Sequence, residues 1–232
     1  PTLTLVIGIA TACAIVDGHA EPERVEKADS RPSVISRSQV WRPTDVGSMD
    51  LKVGPDGPGA FSFHATVLCD YVDEKLGGNT PKFVCAIDKD DHVKVKFGRS
   101  NGEVYGEVLA TRLLWALGFG TDRMYPVNVI CRGCPSSLGG VEQPGHQSQF
   151  DPAVIERQMS ETEWPSHGKK GWSWKELDSV SASAGGASRA HLDAFKLLAV
   201  FIQHTDSKAE QQSIICLNPQ PSVSTDLCDR PF

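Results

Sequence analysis

The chain has 232 residues, 40% of them hydrophobic and 22% charged, with a net charge of −6 at neutral pH. That length holds one sizeable core, and the acidic balance excludes the broad basic surface with which a nucleic-acid binder neutralises phosphates. Its seven cysteines bear on redox compartment, because disulfides persist in exported proteins and are rare in the cytosol.

Leu3 to Val16 form an apolar run broken only by Thr4, Thr11 and small residues, and Gly18-His19-Ala20 puts small residues where a leader peptidase wants them. Residues 1–20 therefore read as part of a signal peptide cleaved after Ala20. The run is too short for a membrane span, so a periplasmic or secreted protein without a stable span is expected, with a buried N-terminal strand as the alternative. The chain opens on Pro1 with no basic segment ahead of the run, which suggests an interior piece of a longer reading frame. The acidic, proline-containing stretch Glu21 to Pro32 reads as linker, extending to about residue 50.

Two glycines and a proline in Leu76-Gly77-Gly78-Asn79-Thr80-Pro81 predict a turn between strands, whose backbone amides are suited to covering phosphates. The segment from His92 to Phe97 alternates strictly, with Val93, Val95 and Phe97 on one face and Lys94 and Lys96 on the other, as a strand does. After an Asn101-Gly102 turn, Val104 to Leu117 reads as a helix closed by Gly118. That helix is apolar nearly all round and should be buried against a sheet. Its carboxylate Glu107 then needs a cationic partner: Lys96, or Arg112 on the same helix. Met124 to Cys131 reads as the next strand. Residues 136–190 are rich in Gly, Ser, Pro and Gln, with a short helix expected near Pro152 to Met159 and an aromatic patch at Trp164, Trp172 and Trp174. From Ala190 to Gln203 apolar residues recur at three- and four-residue steps, predicting a core-packed helix. It delivers the polar loop His204-Thr-Asp-Ser-Lys-Ala-Glu-Gln211.

Loss of residues 1–20 removes Cys13 and leaves six cysteines, an even number that favours disulfides in an exported chain. Cys216 and Cys228 bracket a Pro- and Ser-rich loop and are candidates for one bridge. Cys131-Arg-Gly-Cys134 is alternatively half a zinc site, although no second C-x-x-C or close His pair completes it.

In the loop, Asp206 and Gln211 stand at the spacing of the Asp and the metal-binding amide in the kinase pattern H-R-D-x-x-x-x-N, and His204 sits where its His sits. Together with a glycine turn, a strand lysine and a helix glutamate in the same order, this resembles the protein-kinase-like superfamily, with the flavour of divergent secretory-pathway kinases and bacterial HipA-type kinases. The secretory-pathway likeness lies in Glu107-Val-Leu-Ala-Thr-Arg-Leu-Leu-Trp-Ala-Leu-Gly-Phe119 followed by Tyr125-Pro126-Val127, and the whole resemblance spans about residues 66–217.

It implies an α+β, bilobal kinase-like fold. Residues 51–135 would form a lobe of antiparallel sheet with one Glu-bearing helix, 136–189 an insertion, and 190–232 the start of a helical lobe. It further implies an exported phosphotransferase using ATP and Mg²⁺ on an unidentified acceptor. Lys96 would bind nucleotide phosphates with Lys94 as the alternative, Glu107 would hold the lysine or help hold metal, and Gly77 and Gly78 would cover the phosphates. Asp206 would be the catalytic base, Lys208 would neutralise the transferring phosphoryl group, and Gln211 would ligate metal. Gln211 replaces the family's Asn, the full G-x-G-x-x-G is lacking, and no Asp-x-Gly follows Ser213 to Leu217. The resemblance thus implies a chain truncated before its main metal-binding Asp, inactive by itself. A pseudokinase-like binding module and a Cys-stapled extracellular domain without catalysis are the alternatives.

Overall fold

The computed structural model describes residues 31–159, 162–164, 171–205, 207–217 and 228–232. A short helix α1 (Arg31–Arg37) precedes strands β1 (Ala65–Val72), β2 (Lys82–Asp88) and β3 (Asp91–Phe97). Helix α2 (Glu103–Ala116) leads into β4 (Arg123–Arg132), β5 (Val141–Gln143) and β6 (Gln147–Arg157). Then come β7 (Thr162–Glu163), α3 (Arg189–Phe201) and β8 (Ile215–Cys216), with short 3-10 turns between.

Strands β3, β2, β1, β4, β6 and β5 lie side by side in that order, and β3 also pairs with β6. β1, β2, β3, β6 and β4 therefore close into a five-stranded barrel, with β5 attached to the outer half of β6. Only β1 and β4 run parallel; the remaining pairs of the sheet are antiparallel. The long strand β6 makes the closure: its first half lies between β4 and β5, and its second half, Ala153 to Glu156, between β4 and β3.

The bilobal kinase-like architecture expected from the sequence is not what the chain adopts. The order of a glycine turn, lysine strand, glutamate helix and following strand is present, but order along the chain does not determine how a sheet closes. The short helix expected near Pro152 is instead part of β6. A short apolar run such as Ala153-Val-Ile155 has no periodicity that separates helix from strand, and its β-branched residues suit the closing position on the barrel.

Period-two alternation turns Val93, Val95 and Phe97 of β3 into the barrel. There the rings of Phe83, Phe97 and Phe150 meet with centroids 4.6 to 5.6 Å apart, within the range of favourable edge and tilted contacts. Val95, Val129 and Ile155 are wholly buried around them.

Asn101 starts α2. Its side chain accepts from the Glu103 amide at 3.1 Å and donates to the Phe97 carbonyl at 3.1 Å, tying the end of β3 to the helix. Asn101→Ala is expected to lower the unfolding free energy by about 1–2 kcal/mol, read from a urea melt; an unmoved midpoint would refute the cap. The helix ends at Gly118, whose φ is +85°. A Cβ there would lie 2.0 Å from the Arg42 carbonyl oxygen, so both conformation and space require glycine. As expected, α2 packs against the sheet, through Val104 and Val108 on Met124 and Val154, yet its opposite side leaves the apolar Tyr105 and Leu109 exposed, because the barrel covers only one side. Helix α3 likewise buries Leu192, Leu198 and Ala199 while Leu197, Val200 and Phe201 face out. Its start is capped by Ser188, whose Oγ accepts from the His191 amide at 3.3 Å.

A second, smaller core gathers Val34 and Ile35 of α1, Trp164, Ile214, Cys216 and Cys228. Three disulfides staple the chain: Cys69–Cys85, Cys131–Cys134 and Cys216–Cys228. The last joins the two cysteines read as a staple, and the second replaces the half zinc site. Such bridges fit an oxidising environment. No helix among the described residues is long and apolar enough to cross a membrane; residues 1–20 lie outside them.

Candidate functional site

Strand β3 points Lys96 away from the barrel interior, yet α2 passes over that face and leaves the side chain only 8% exposed. Its Nζ lies 2.5 Å from both carboxylate oxygens of Glu107. Glu156 of β6 approaches the same ammonium at 3.2 Å and Glu103 of α2 at 3.5 Å. Lys94, directly opposite Glu156 across the β3–β6 pairing, contacts it at 2.5 Å. Glu103 and Glu107 are four residues apart and so share one face of α2. Arg112, the other partner considered for Glu107, instead donates to the Val53 carbonyl at 2.9 Å and lies over the Tyr125 ring.

Burial works against the Lys96 charge, but its hydrogen bond to Glu107 and the charges of Glu156 and Glu107 outweigh that cost and raise its pKa. Burial raises Glu107 as well; Lys96 opposes this, and repulsion from Glu103 and Glu156 adds to it. Glu156 is also penalised by burial, yet its bond to Lys94 and the charges of Lys96 and Lys94 hold it below the usual carboxylate range. One more acid belongs here. Asp122, in the loop between α2 and β4, is pushed up to about 6 by burial and by the charge of Glu156, although a Met159 backbone hydrogen bond, Lys94 and Lys96 pull the other way.

Asp122 is also on the wall of a cavity of about 380 Å³, whose lining includes Leu114, Gln158, Trp172, Trp174, Phe195 and Gln212. Phe195 of α3 stacks on Trp174 with centroids 5.2 Å apart. The polar loop after α3 adjoins these rings, with His204, Gln211 and Gln212 also lining the space. Gln212 donates to the carbonyls of Trp172, Ser207 and Lys208 at 3.1 to 3.2 Å. Its Oε1 is buried with no hydrogen-bond partner among the described residues. The cavity wall thus combines aromatic rings with the polar loop packed against them, the Trp174 and His204 rings lying 6.1 Å apart, and the charged cluster acts on it through Asp122.

Of the residues singled out from the sequence, Lys96, Glu107 and Lys94 come together, and Gln211 borders the adjoining cavity. Lys208 begins a 3-10 turn at Ala209–Gln211, exposed, its carbonyl accepting from the Gln211 amide at 3.0 Å. Gly77 and Gly78 lie in the exposed connection from β1 to β2 and do not line the cavity. Asp206 lies outside the described residues. Trp164 packs in the second core, whereas Trp172 and Trp174 face the cavity.

Sequence reasoning missed Glu103, Glu156, Asp122 and Gln212. Glu103 was findable, since it precedes Glu107 by one helical turn. Glu156 needed the pairing of β3 with β6, and Asp122 and Gln212 carry no local signature. No group of three His, Cys, Asp or Glu residues among the described residues is placed to hold a metal ion. Compared with known proteins, the chain matches no family model, no curated protein and no solved structure.

Proposed function

We propose that this chain carries the nucleotide site of an exported phosphotransferase that uses ATP and Mg²⁺. The observation that carries this is the buried Lys96 ammonium, held 2.5 Å from Glu107, in a cluster that does not itself line the aromatic cavity but meets it through Asp122 on the cavity wall. A lysine fixed by a helix carboxylate is the arrangement that phosphoryl transfer uses to hold phosphates in place. The reading rests on this site, not on a kinase architecture, since one chemistry recurs on unrelated folds. The base would stack on Trp172, Trp174 or Phe195, and Lys96 and Lys94 would meet the phosphates.

Charge balance supports the metal requirement. Glu103, Glu107, Glu156 and Asp122 stand against two lysines, so a bare triphosphate would enter a field of excess negative charge. Mg²⁺ binds through one or two carboxylates plus phosphate oxygens, which suits a site without a three-group protein cage. Asp122, on the cavity wall, is the group we assign to it, while both Glu107 oxygens are engaged by Lys96. The bound ion would neutralise charge on the β- and γ-phosphates. Lys96 positions those phosphates, the aromatic wall excludes water, and Asp206 is assigned to take the proton from the accepting hydroxyl. Gln211, longer by a methylene than the kinase pattern's Asn, favours a second reading in which nucleotide binds without transfer.

Titration with MgATP, followed by fluorescence of the cavity tryptophans, is expected to give saturable quenching. Removing Mg²⁺ with EDTA should weaken ATP binding by about tenfold or more, one such step being about 1.4 kcal/mol. Affinity unaffected by EDTA would overturn the metal assignment, and no quenching at millimolar MgATP would overturn the nucleotide site. Phosphate release or transfer by the same sample separates the two readings.

A further inference from the structure

We propose that Cys131–Cys134 is a thiol–disulfide exchange site that accepts electrons from a dithiol partner, and that Cys134 is the sulfur attacked. Among the six described cysteines only Cys134 is not buried; Cys69, Cys85 and Cys131 are wholly inaccessible, and Cys216 and Cys228 nearly so. An attacking thiolate must reach a disulfide sulfur directly, so a folded chain offers it this bridge and shields the other two. Arg132 and Gly133, the residues between the two cysteines, are both exposed, leaving the rim open to a partner.

The three bridges differ also in what they hold. Cys69–Cys85 spans 16 residues and crosslinks β1 to β2 in the barrel core, and Cys216–Cys228 spans 12. Cys131–Cys134 spans 3 and closes one turn at the end of β4. Loop-closure stabilisation grows with the length enclosed, so opening this bridge disturbs the fold least. Cys131 is held in place independently, by pairing with Cys69 on β1 and Ser148 on β6. A partly exposed cysteine, packed at the edge of the barrel core, three residues from a fully buried one is an arrangement suited to reversible exchange.

In the exchange, a thiolate of the dithiol partner attacks Cys134 Sγ. The Cys131–Cys134 bond breaks, its electron pair leaves on Cys131 Sγ, and that sulfur takes a proton. The partner's second thiol then displaces Cys134 as a thiol. The chain's disulfide is reduced by two electrons and the dithiol becomes a disulfide.

The test is graded reduction of the native full chain with dithiothreitol, alkylation and mass mapping. Cys131 and Cys134 are expected to be labelled at a concentration about tenfold below that opening either other bridge, with circular dichroism unchanged. Simultaneous opening of all three, or earlier opening of Cys69–Cys85 or Cys216–Cys228, would overturn the proposal. The order of attack is read separately with oxidised glutathione. Cys131→Ser should become glutathionylated at Cys134, whereas Cys134→Ser should stay unmodified at the buried Cys131; the reverse pattern would overturn the assignment of Cys134. If Cys131→Ser fails to fold, the wild-type titration still decides the bridge, and acid-trapping the mixed disulfide formed by a monothiol on the wild-type chain decides the sulfur, its location on Cys131 overturning the assignment of Cys134.

Discussion

Lys96→Met is expected to lower the unfolding free energy by about 3 kcal/mol and to weaken MgATP binding by about 10- to 100-fold. The first effect follows from what the substitution leaves behind. Lys96 is 8% exposed and faces Glu107, Glu156 and Glu103, and removing one partner of a buried ion pair strands the other at about 3–5 kcal/mol. The low end applies because Glu103 and Glu107 keep about a third of their surface in solvent. The second effect is the loss of a charge-assisted bond to phosphate, worth about 1.5–3 kcal/mol. Adding Glu107→Gln to Lys96→Met should restore part of the stability without restoring affinity. Urea melts and fluorescence titrations read the two effects apart. Stability lost with affinity unchanged would make the cluster a purely structural device and end the nucleotide proposal.

Asp122→Asn should stabilise the chain at pH 7.5 by as much as about 3 kcal/mol. The carboxyl is pushed from 3.8 up to about 6, first by burial and then by the charge of Glu156, so the folded state holds its proton more tightly than the unfolded one. Stability from this group is therefore fully present below pH 3.8 and is lost as pH rises through about 6. Each pH unit of that interval is worth about 1.4 kcal/mol, which gives the figure quoted. Asparagine cannot ionise, and its amide oxygen can still accept the Met159 backbone hydrogen bond. The gain over wild type should thus vanish near pH 4 and level off above pH 7, as followed by urea melts across that range. A gain independent of pH would mean that the buried charge is not its cause.

The cluster was partly legible in the sequence. Alternation along His92 to Phe97 separated inward valines from outward lysines, and a lone carboxylate on an apolar helix demanded a cation; the two inferences meet in the Lys96–Glu107 contact. Both rest on local periodicity. Glu156 was hidden by a failure of the same kind of evidence, because Ala153 to Ile155 is too short an apolar run to declare its period. Reading it as helix removed the strand that closes the barrel and with it the basis for any correct fold. Asp122 is buried by residues distant in sequence, and nothing in Gly-Thr-Asp announces that. The cysteine staple at Cys216 and Cys228 was readable from separation and composition, while Cys69–Cys85 depends on a strand pairing that spacing does not reveal.

The pairing of Lys94 with Glu156 and of Lys96 with Val154 across the barrel seam makes assembly of the site all-or-none. A one-residue slip of β3 against β6 would turn the lysines into the apolar interior and Val93, Val95 and Phe97 out to water. A barrel slipped by one residue therefore cannot display a half-built cluster, and a newly synthesised chain that has closed its barrel with the correct face inward has, in the same step, checked which way its charges point.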